Sequence, residues 1–121
     1  MSSDRIVLPA PLVSISVTAH QHAPYLAQCL DGILMQECPY PYEILLGEDG
    51  STDGTREIAQ RYAAAHPDRI RLFLHDRSKL IRIDGRPTGR YNLLHNLRNA
   101  RGKYLCHIDG DDRWTDPQRL R

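Results

Sequence analysis

The sequence predicts an α/β fold: a Rossmann-like, mostly parallel sheet flanked by helices. Three observations carry that prediction. Short apolar segments with strand character alternate with segments whose apolar residues recur at helical spacing. The first two strand segments lie about 30 residues apart, which is the length of one βαβ unit. Acidic clusters follow two of the strand segments, where open α/β sheets place their ligands.

Residues 1–11 contain two prolines and little pattern, and read as an N-terminal tail. Leu12-Val13-Ser14-Ile15-Ser16-Val17 alternates apolar with small residues and predicts the first strand. A polar loop follows at Thr18-Ala19-His20-Gln21-His22. A helix is predicted from Ala23, with Pro24 in its first turn and Leu26, Leu30, Ile33 and Leu34 as its buried stripe. Pro39 and Pro41 close it. Glu43-Ile44-Leu45-Leu46 predicts the second strand, which runs into the acidic turn Gly47-Glu48-Asp49-Gly50-Ser51-Thr52-Asp53-Gly54-Thr55.

A second helix is expected to about Ala65, with Thr52 or Asp53 as N-cap and Ile58, Tyr62 and Ala65 on one face. His66-Pro67 stops it. Residues 69–74 alternate as a third strand. Residues 75–90 read as a basic loop with Arg77, Lys79, Arg82, Arg86 and Arg90. Tyr91 to Arg101 predicts a third helix with Leu93, Leu94, Leu97 and Ala100 facing the core and Gly102 as its stop. The run Tyr104-Leu105-Cys106-His107-Ile108 then predicts a buried fourth strand, and Thr115 to Leu120 a helix start.

With 121 residues, 40% hydrophobic and 26% charged, the chain is at most one soluble globular domain. No run approaches the ~20 apolar residues of a membrane span, and the N-terminus lacks a signal-peptide pattern. Three cysteines without framework spacing favour a reducing compartment. The net charge of +1 conceals an asymmetry. Residues 1–65 hold three Lys or Arg against eight Asp or Glu, whereas residues 66–103 hold ten against three. A basic middle beside acidic turns suits an anion bridged to carboxylates by metal, although a solvated basic face is the commoner meaning.

The tightest chemical signal is Asp109-Gly110-Asp111-Asp112, three carboxylates at the end of a predicted strand. Carboxylates so crowded repel one another unless a cation sits among them. Asp49 to Gly54 fits the opening of a calcium loop, but Gln60 stands at the twelfth position and a strand precedes it, so a strand-to-helix turn is the better reading. His20 and His22 with Cys29 or Cys38 lack zinc-site spacing. GxGxxG, GxxxxGK[ST] and GxSxG patterns are absent.

Two stretches in this order, Glu43-Ile-Leu-Leu-Gly-Glu-Asp-Gly-Ser-Thr-Asp-Gly-Thr55 and Gly102-Lys-Tyr104 through Asp109-Gly-Asp-Asp112 to Trp114-Thr-Asp-Pro117, resemble family 2 glycosyltransferases. The resemblance spans residues 12 to 120. It implies a sheet of GT-A type and inverting transfer of a sugar from a nucleoside diphosphate, UDP-linked in the usual case, to an acceptor hydroxyl. It places Asp49 on the nucleobase, where a carboxylate accepts from the imide N–H of uracil. Glu48 stands where the family usually has Asp. Thr18 and His20 fall in the loop that packs on base and ribose, with His20 in place of the usual Tyr. Asp109 and Gly110 fall at the nucleotide, and Asp109, Asp111 and Asp112 form the metal side, for Mn²⁺ or Mg²⁺ against the donor diphosphate. One basic residue of the 77–90 loop, Arg90 among them, is a candidate for the diphosphate.

The family's general base lies well downstream of Asp-x-Asp, so it is expected beyond Arg121. The chain therefore reads as residues 12–121 of a nucleotide-sugar-binding part, truncated after the Asp-x-Asp strand and incomplete at its C-terminus. Its expected partners are a nucleotide-sugar donor and a glycan or other hydroxyl acceptor, with no nucleic acid. Cell-surface polysaccharide is the product class by analogy. The expected place is cytoplasmic, with peripheral association at the inner face of the membrane and homo-oligomerisation left open. Two rival readings are a nucleotide-binding module without turnover and a nucleotidyltransferase. The latter usually carries a glycine-rich loop after the first strand, and residues 18–22 contain no glycine.

Overall fold

The computed structural model describes residues 10–76, 81–83 and 86–119, with side chains described outside 81–88. In chain order the elements are β1 (Val13–Ala19), α1 (Leu26–Leu34), β2 (Tyr42–Glu48), α2 (Thr55–Ala65), β3 (Ile70–Leu74), β4 (Ile81–Ile83), β5 (Arg86–Thr88), α3 (Arg90–Asn99) and β6 (Tyr104–Asp109). Four strands form one sheet in the order β3-β2-β1-β6, and every pair in it is parallel. This is the parallel α/β sheet that the sequence predicts.

Alternation along the strands sorts the side chains onto two faces. Val13, Ile15, Val17 and Ala19 of β1 join Tyr42, Ile44 and Leu46 of β2 in one cluster. Leu26, Cys29, Leu30 and Ile33 of α1, Ala59 of α2, Ile70 of β3, Ile108 of β6 and Trp114 belong to the same cluster. The opposite face carries Ser14, Ser16, Leu45 and Gly47, and α3 lies across it on β1 and β2.

Several expectations need correction. α1 begins at Leu26, because residues 23–25 form a turn whose Tyr25 N–H donates to His22 O at 2.9 Å, and it ends at Leu34, before Pro39. Leu34 is only half-buried. The N-cap of α2 is Gly54, at the left-handed φ of 101°, rather than Thr52 or Asp53. Asp53 still serves the helix start by accepting from Thr55 N–H at 3.1 Å. Ala65 is exposed, and the buried positions of α2 are Thr55 and Ala59.

The largest departure is α3. Its buried residues are Asn92 and Asn96, while Leu94 is 39% exposed and Leu93, Leu97 and Ala100 are only partly covered. The polar face wins because it meets backbone. Asn92 Nδ2 donates to Gly47 O at 2.9 Å. Asn96 Nδ2 lies 3.0 Å from Ser16 Oγ, 3.2 Å from Val17 O and 3.1 Å from Leu45 O. Gly47 makes this approach feasible, since a Cβ there would come within 1.8 Å of Asn92 Oδ1.

β6 ends the sheet and is not buried throughout. Tyr104 and Leu105 are 57% and 49% exposed, and Ile108 is its buried residue. Among the described residues it pairs with β1 alone. The expected 75–90 loop contains the antiparallel β4–β5 pair. Arg77 and Lys79 lie outside the described residues, as do the side chains of Arg82 and Arg86. Where a helix start was expected after Thr115, residues 117–119 form a turn, with Gln118 N–H donating to Asp116 Oδ1 at 2.9 Å. Among the described residues no helix is long and apolar enough to cross a membrane.

Candidate functional site

From β1 the chain passes outward to β2 and β3, then returns to place β6 on the other side of β1. This reversal lies between β1 and β6, and the carboxyl ends of strands at such a point are where open α/β sheets take their ligands. The loops leaving β1, β2 and β6 are the candidate walls of such a site.

The β1 and β2 loops are tied by a ladder of side-chain bonds. Gln21 N–H donates to Ser51 Oγ at 2.9 Å, Gln21 Nε2 to Thr52 Oγ1 at 3.1 Å, and Thr52 N–H to Gln21 Oε1 at 2.8 Å. His22 N–H donates to Thr55 Oγ1 at 2.9 Å, and Ala23 N–H to Asp53 Oδ2 at 3.1 Å. Gln21 adopts a left-handed φ of 54°, an uncommon conformation for a non-glycine residue. The bonds from Thr55 and Ala23 hold the Asp53 carboxyl below its usual range, Thr55 contributing most.

Glu48 is fully buried, and its carboxylate is spent on the turn. It accepts from Gly50 N–H at 3.2 Å, from Ser51 N–H at 3.0 Å, from the Ser51 hydroxyl, and from Arg56 Nε at 2.7 Å. Such a carboxylate fixes the shape of residues 48–51 instead of facing a ligand. Asp49 is 3% exposed, and its N–H donates to Ala19 O at 3.0 Å, joining β1 to β2 at their carboxyl ends.

His75 extends this wall. Its N–H donates to Glu48 O at 2.8 Å, and its O accepts from Arg56 Nη2 at 2.8 Å. Burial, then the neighbouring His95, holds its imidazole below the usual range. A cavity of about 410 Å³ is lined here by Gly50, Ser51, Arg56, Leu74, His75 and Asp76. A larger cavity of about 470 Å³ sits at the amino ends of the strands among Tyr42, Arg69 and Arg71, and no candidate site residue lines it.

On the β6 side, Gly110 N–H donates to Thr18 O at 2.9 Å. A Cβ on Gly110 would meet His22 Nδ1 at 2.7 Å, so the close approach of these two loops needs the glycine. Thr18 Oγ1 donates to Asp109 Oδ1 at 3.1 Å, and His107 Nε2 lies 3.1 Å from the same oxygen. His22 Nε2 lies 3.9 Å from Asp111 Oδ2. Trp114, 8% exposed, carries the chain back over α1, where Gln36 Nε2 donates to Asp116 O at 2.8 Å.

Asp109, Asp111 and Asp112 each offer one carboxylate oxygen, and these lie within 4.8 Å of one another. All three are exposed. Hard oxygen donors so grouped suit Mg²⁺ or Mn²⁺. The cluster's field reaches inward: burial pushes the Cys29 thiol up to about 12, with Asp112, Asp111 and Asp109 adding to the effect.

Thr18, Glu48, Asp49, Asp109, Gly110, Asp111 and Asp112 therefore lie at the carboxyl ends of β1, β2 and β6 or in the loops that leave them, with the Glu48 carboxylate turned into its own loop, and His20 is half-buried in the β1 loop. Arg90 is exposed at the start of α3. Gln21, His22, Ser51, Arg56 and His107 are the contributors that sequence reasoning missed. His107 had a signal, since residues i and i+2 of a strand share a face and it precedes Asp109 by two. Gln21 had none.

The sequence model described as glycosyl transferase family 2 matches residues 14–121. A Bacillus subtilis protein that carries the name glycosyltransferase, EpsE, is 36% identical over 110 residues, which are 91% of this chain and 36% of EpsE. The structure is similar to that of a Pyrobaculum calidifontis mannosyltransferase in complex with GDP-Man and Mn²⁺. The TM-score is 0.71 and the identity 28%, covering 90% of this chain and 30% of that one. The fold is shared with Staphylococcus aureus TarS 1-349 in complex with UDP, at TM-score 0.71 and 19% identity, over 89% of this chain and 29% of that one. The chain spans between 28% and 36% of the length of several curated relatives it matches.

Proposed function

The chain belongs to glycosyl transferase family 2, and on that premise we propose that it holds the donor site of an inverting glycosyltransferase. The donor is a nucleoside diphosphate-linked sugar, UDP-linked in the first instance, and the acceptor a hydroxyl group. One observation carries the proposal: a three-carboxylate cluster adjoins the tied β1–β2 loops at the point where the sheet order reverses. Diphosphate and base then lie on opposite walls of one crevice.

On the base side, the Asp49 carboxylate accepts an imide N–H. Uracil presents this donor at N3 and guanine at N1, whereas cytosine and adenine lack it. Glu48 and Arg56 hold the turn that presents Asp49. Thr18 orients Asp109, and His20 offers a ring for packing on the base. On the diphosphate side, Asp109, Asp111 and Asp112 hold Mn²⁺ or Mg²⁺. An ion held there would supply positive charge to offset that of the departing nucleoside diphosphate.

Calorimetric titration with UDP, GDP, CDP and ADP in the presence of Mn²⁺ tests this reading. Binding of UDP or GDP with weak binding of CDP and ADP supports it. Equal binding of all four contradicts the role of Asp49, and no binding contradicts the site.

A further inference from the structure

Asp109 does not stand free at the end of β6. Two polar side chains meet its Oδ1 atom: Thr18 Oγ1 and His107 Nε2, each at 3.1 Å. Among the described residues none donates to Oδ2. Both anchors therefore hold one oxygen and leave the other for a ligand.

His107 is itself held from behind. Its Nδ1 lies 3.1 Å from Ser16 Oγ, across the β1–β6 pair in which Ser16 and His107 are register partners. Ser16 is fully buried, and its Oγ accepts from Asn96 Nδ2 at 3.0 Å. Asn96 is also fully buried and its Nδ2 lies within bonding distance of Val17 O and Leu45 O. The chain of groups runs from the α3 face of the sheet to the acidic cluster without a break.

The groups along this chain accommodate one consistent direction. In that direction Ser16 Oγ accepts from Asn96 and gives its own hydroxyl proton to His107 Nδ1. A neutral imidazole that accepts at Nδ1 carries its proton on Nε2, and Nε2 faces Asp109. Imidazole orientation of this kind, set by a bond at the far nitrogen, commonly governs how well a neighbouring ligand group is aimed.

We infer that His107 is a positioning residue that aims Asp109 at the metal–diphosphate end of the donor site, with Ser16 and Asn96 setting its tautomer. The inference rests on the donor-site reading above. His107 touches neither donor nor metal; its effect passes through Asp109.

The test compares wild type with His107→Phe, which keeps the ring and removes the donor, and His107→Gln, whose amide nitrogen reaches the position of Nε2. UDP is titrated with and without Mn²⁺. His107→Phe should weaken Mn²⁺-supported UDP binding ~10-fold, the scale on which groups behind metal ligands act. UDP binding without Mn²⁺ should be unchanged, and His107→Gln should restore most of the loss. Wild-type binding by His107→Phe, or an equal loss with and without Mn²⁺, overturns the inference; so does failure of His107→Gln to rescue.

A second readout needs no nucleotide. Imidazole ¹⁵N shifts of the wild-type chain should show the Nε2-protonated tautomer of His107, with Nδ1 as the acceptor. The opposite tautomer overturns the proposed direction even where a variant fails to fold. UDP binding indifferent to Mn²⁺ in the wild type, with the expected tautomer present, overturns the donor-site reading instead.

Discussion

Asn92 and Asn96 occupy the positions on α3 where an amphipathic helix would place its apolar residues. Helical periodicity selects Leu93, Leu94 and Leu97 for the core, but period alone does not reveal that the opposing surface is backbone. Gly47 and the serines of β1 make that surface polar, and only the tertiary pairing shows it. Replacing Asn96 with Leu strands carbonyls that now have a donor, and the expected cost is about 3 kcal/mol in a denaturant melt.

Glu43 makes a second residue-scale case, at the amino end of β2. Burial pushes its carboxyl upward, but the Ser14 hydroxyl, the Arg101 backbone N–H and the Arg71 guanidinium hold it, on balance, below the ordinary range. A depressed folded value adds stability above about pH 4.3, the unfolded glutamate value, and loses it as pH falls through the folded value. Melts of wild type and Glu43→Gln should therefore differ most near neutral pH and converge in acid. A constant gap across that range would contradict the assignment.

At the scale of elements, the strands and the two acidic turns were legible because alternation and strand-end carboxylates are local signals. Helix limits were less so. α1 starts at Leu26 because His22 O takes the N–H groups of Tyr25 and Leu26, a bond set by how the β1 loop docks on the β2 loop. β6 reads as buried by its composition, yet its place at the end of the sheet leaves Tyr104 and Leu105 exposed. Strand order follows from crossovers, and apolar content does not encode it. The β1–β2 loop ladder depends on Gln21. Gln21→Ala removes its two side-chain bonds and should weaken UDP binding about 5-fold, equivalent to ~1 kcal/mol. Faster amide exchange at Thr52 should accompany that loss.

At the scale of the whole molecule, sheet order decides the site. β1 lies between β2 and β6, so the Glu48-Asp49 turn and the Asp109–Asp112 cluster flank one strand end although about 60 residues separate them in sequence. The family resemblance in the sequence pointed to the same pairing, and the parallel register supplies its physical basis. Of the basic segment's candidate residues, Arg90 is exposed at the start of α3.

The central claim is that the Asp109–Asp112 cluster holds a divalent ion against a nucleoside diphosphate. Its most direct test is the affinity of the chain for UDP, titrated with and without Mn²⁺, in wild type and Asp111→Ala. Tighter binding with Mn²⁺ in the wild type, and at least ~10-fold loss of that gain in Asp111→Ala, is the predicted result. Mn²⁺-enhanced binding that survives Asp111→Ala unchanged would contradict it.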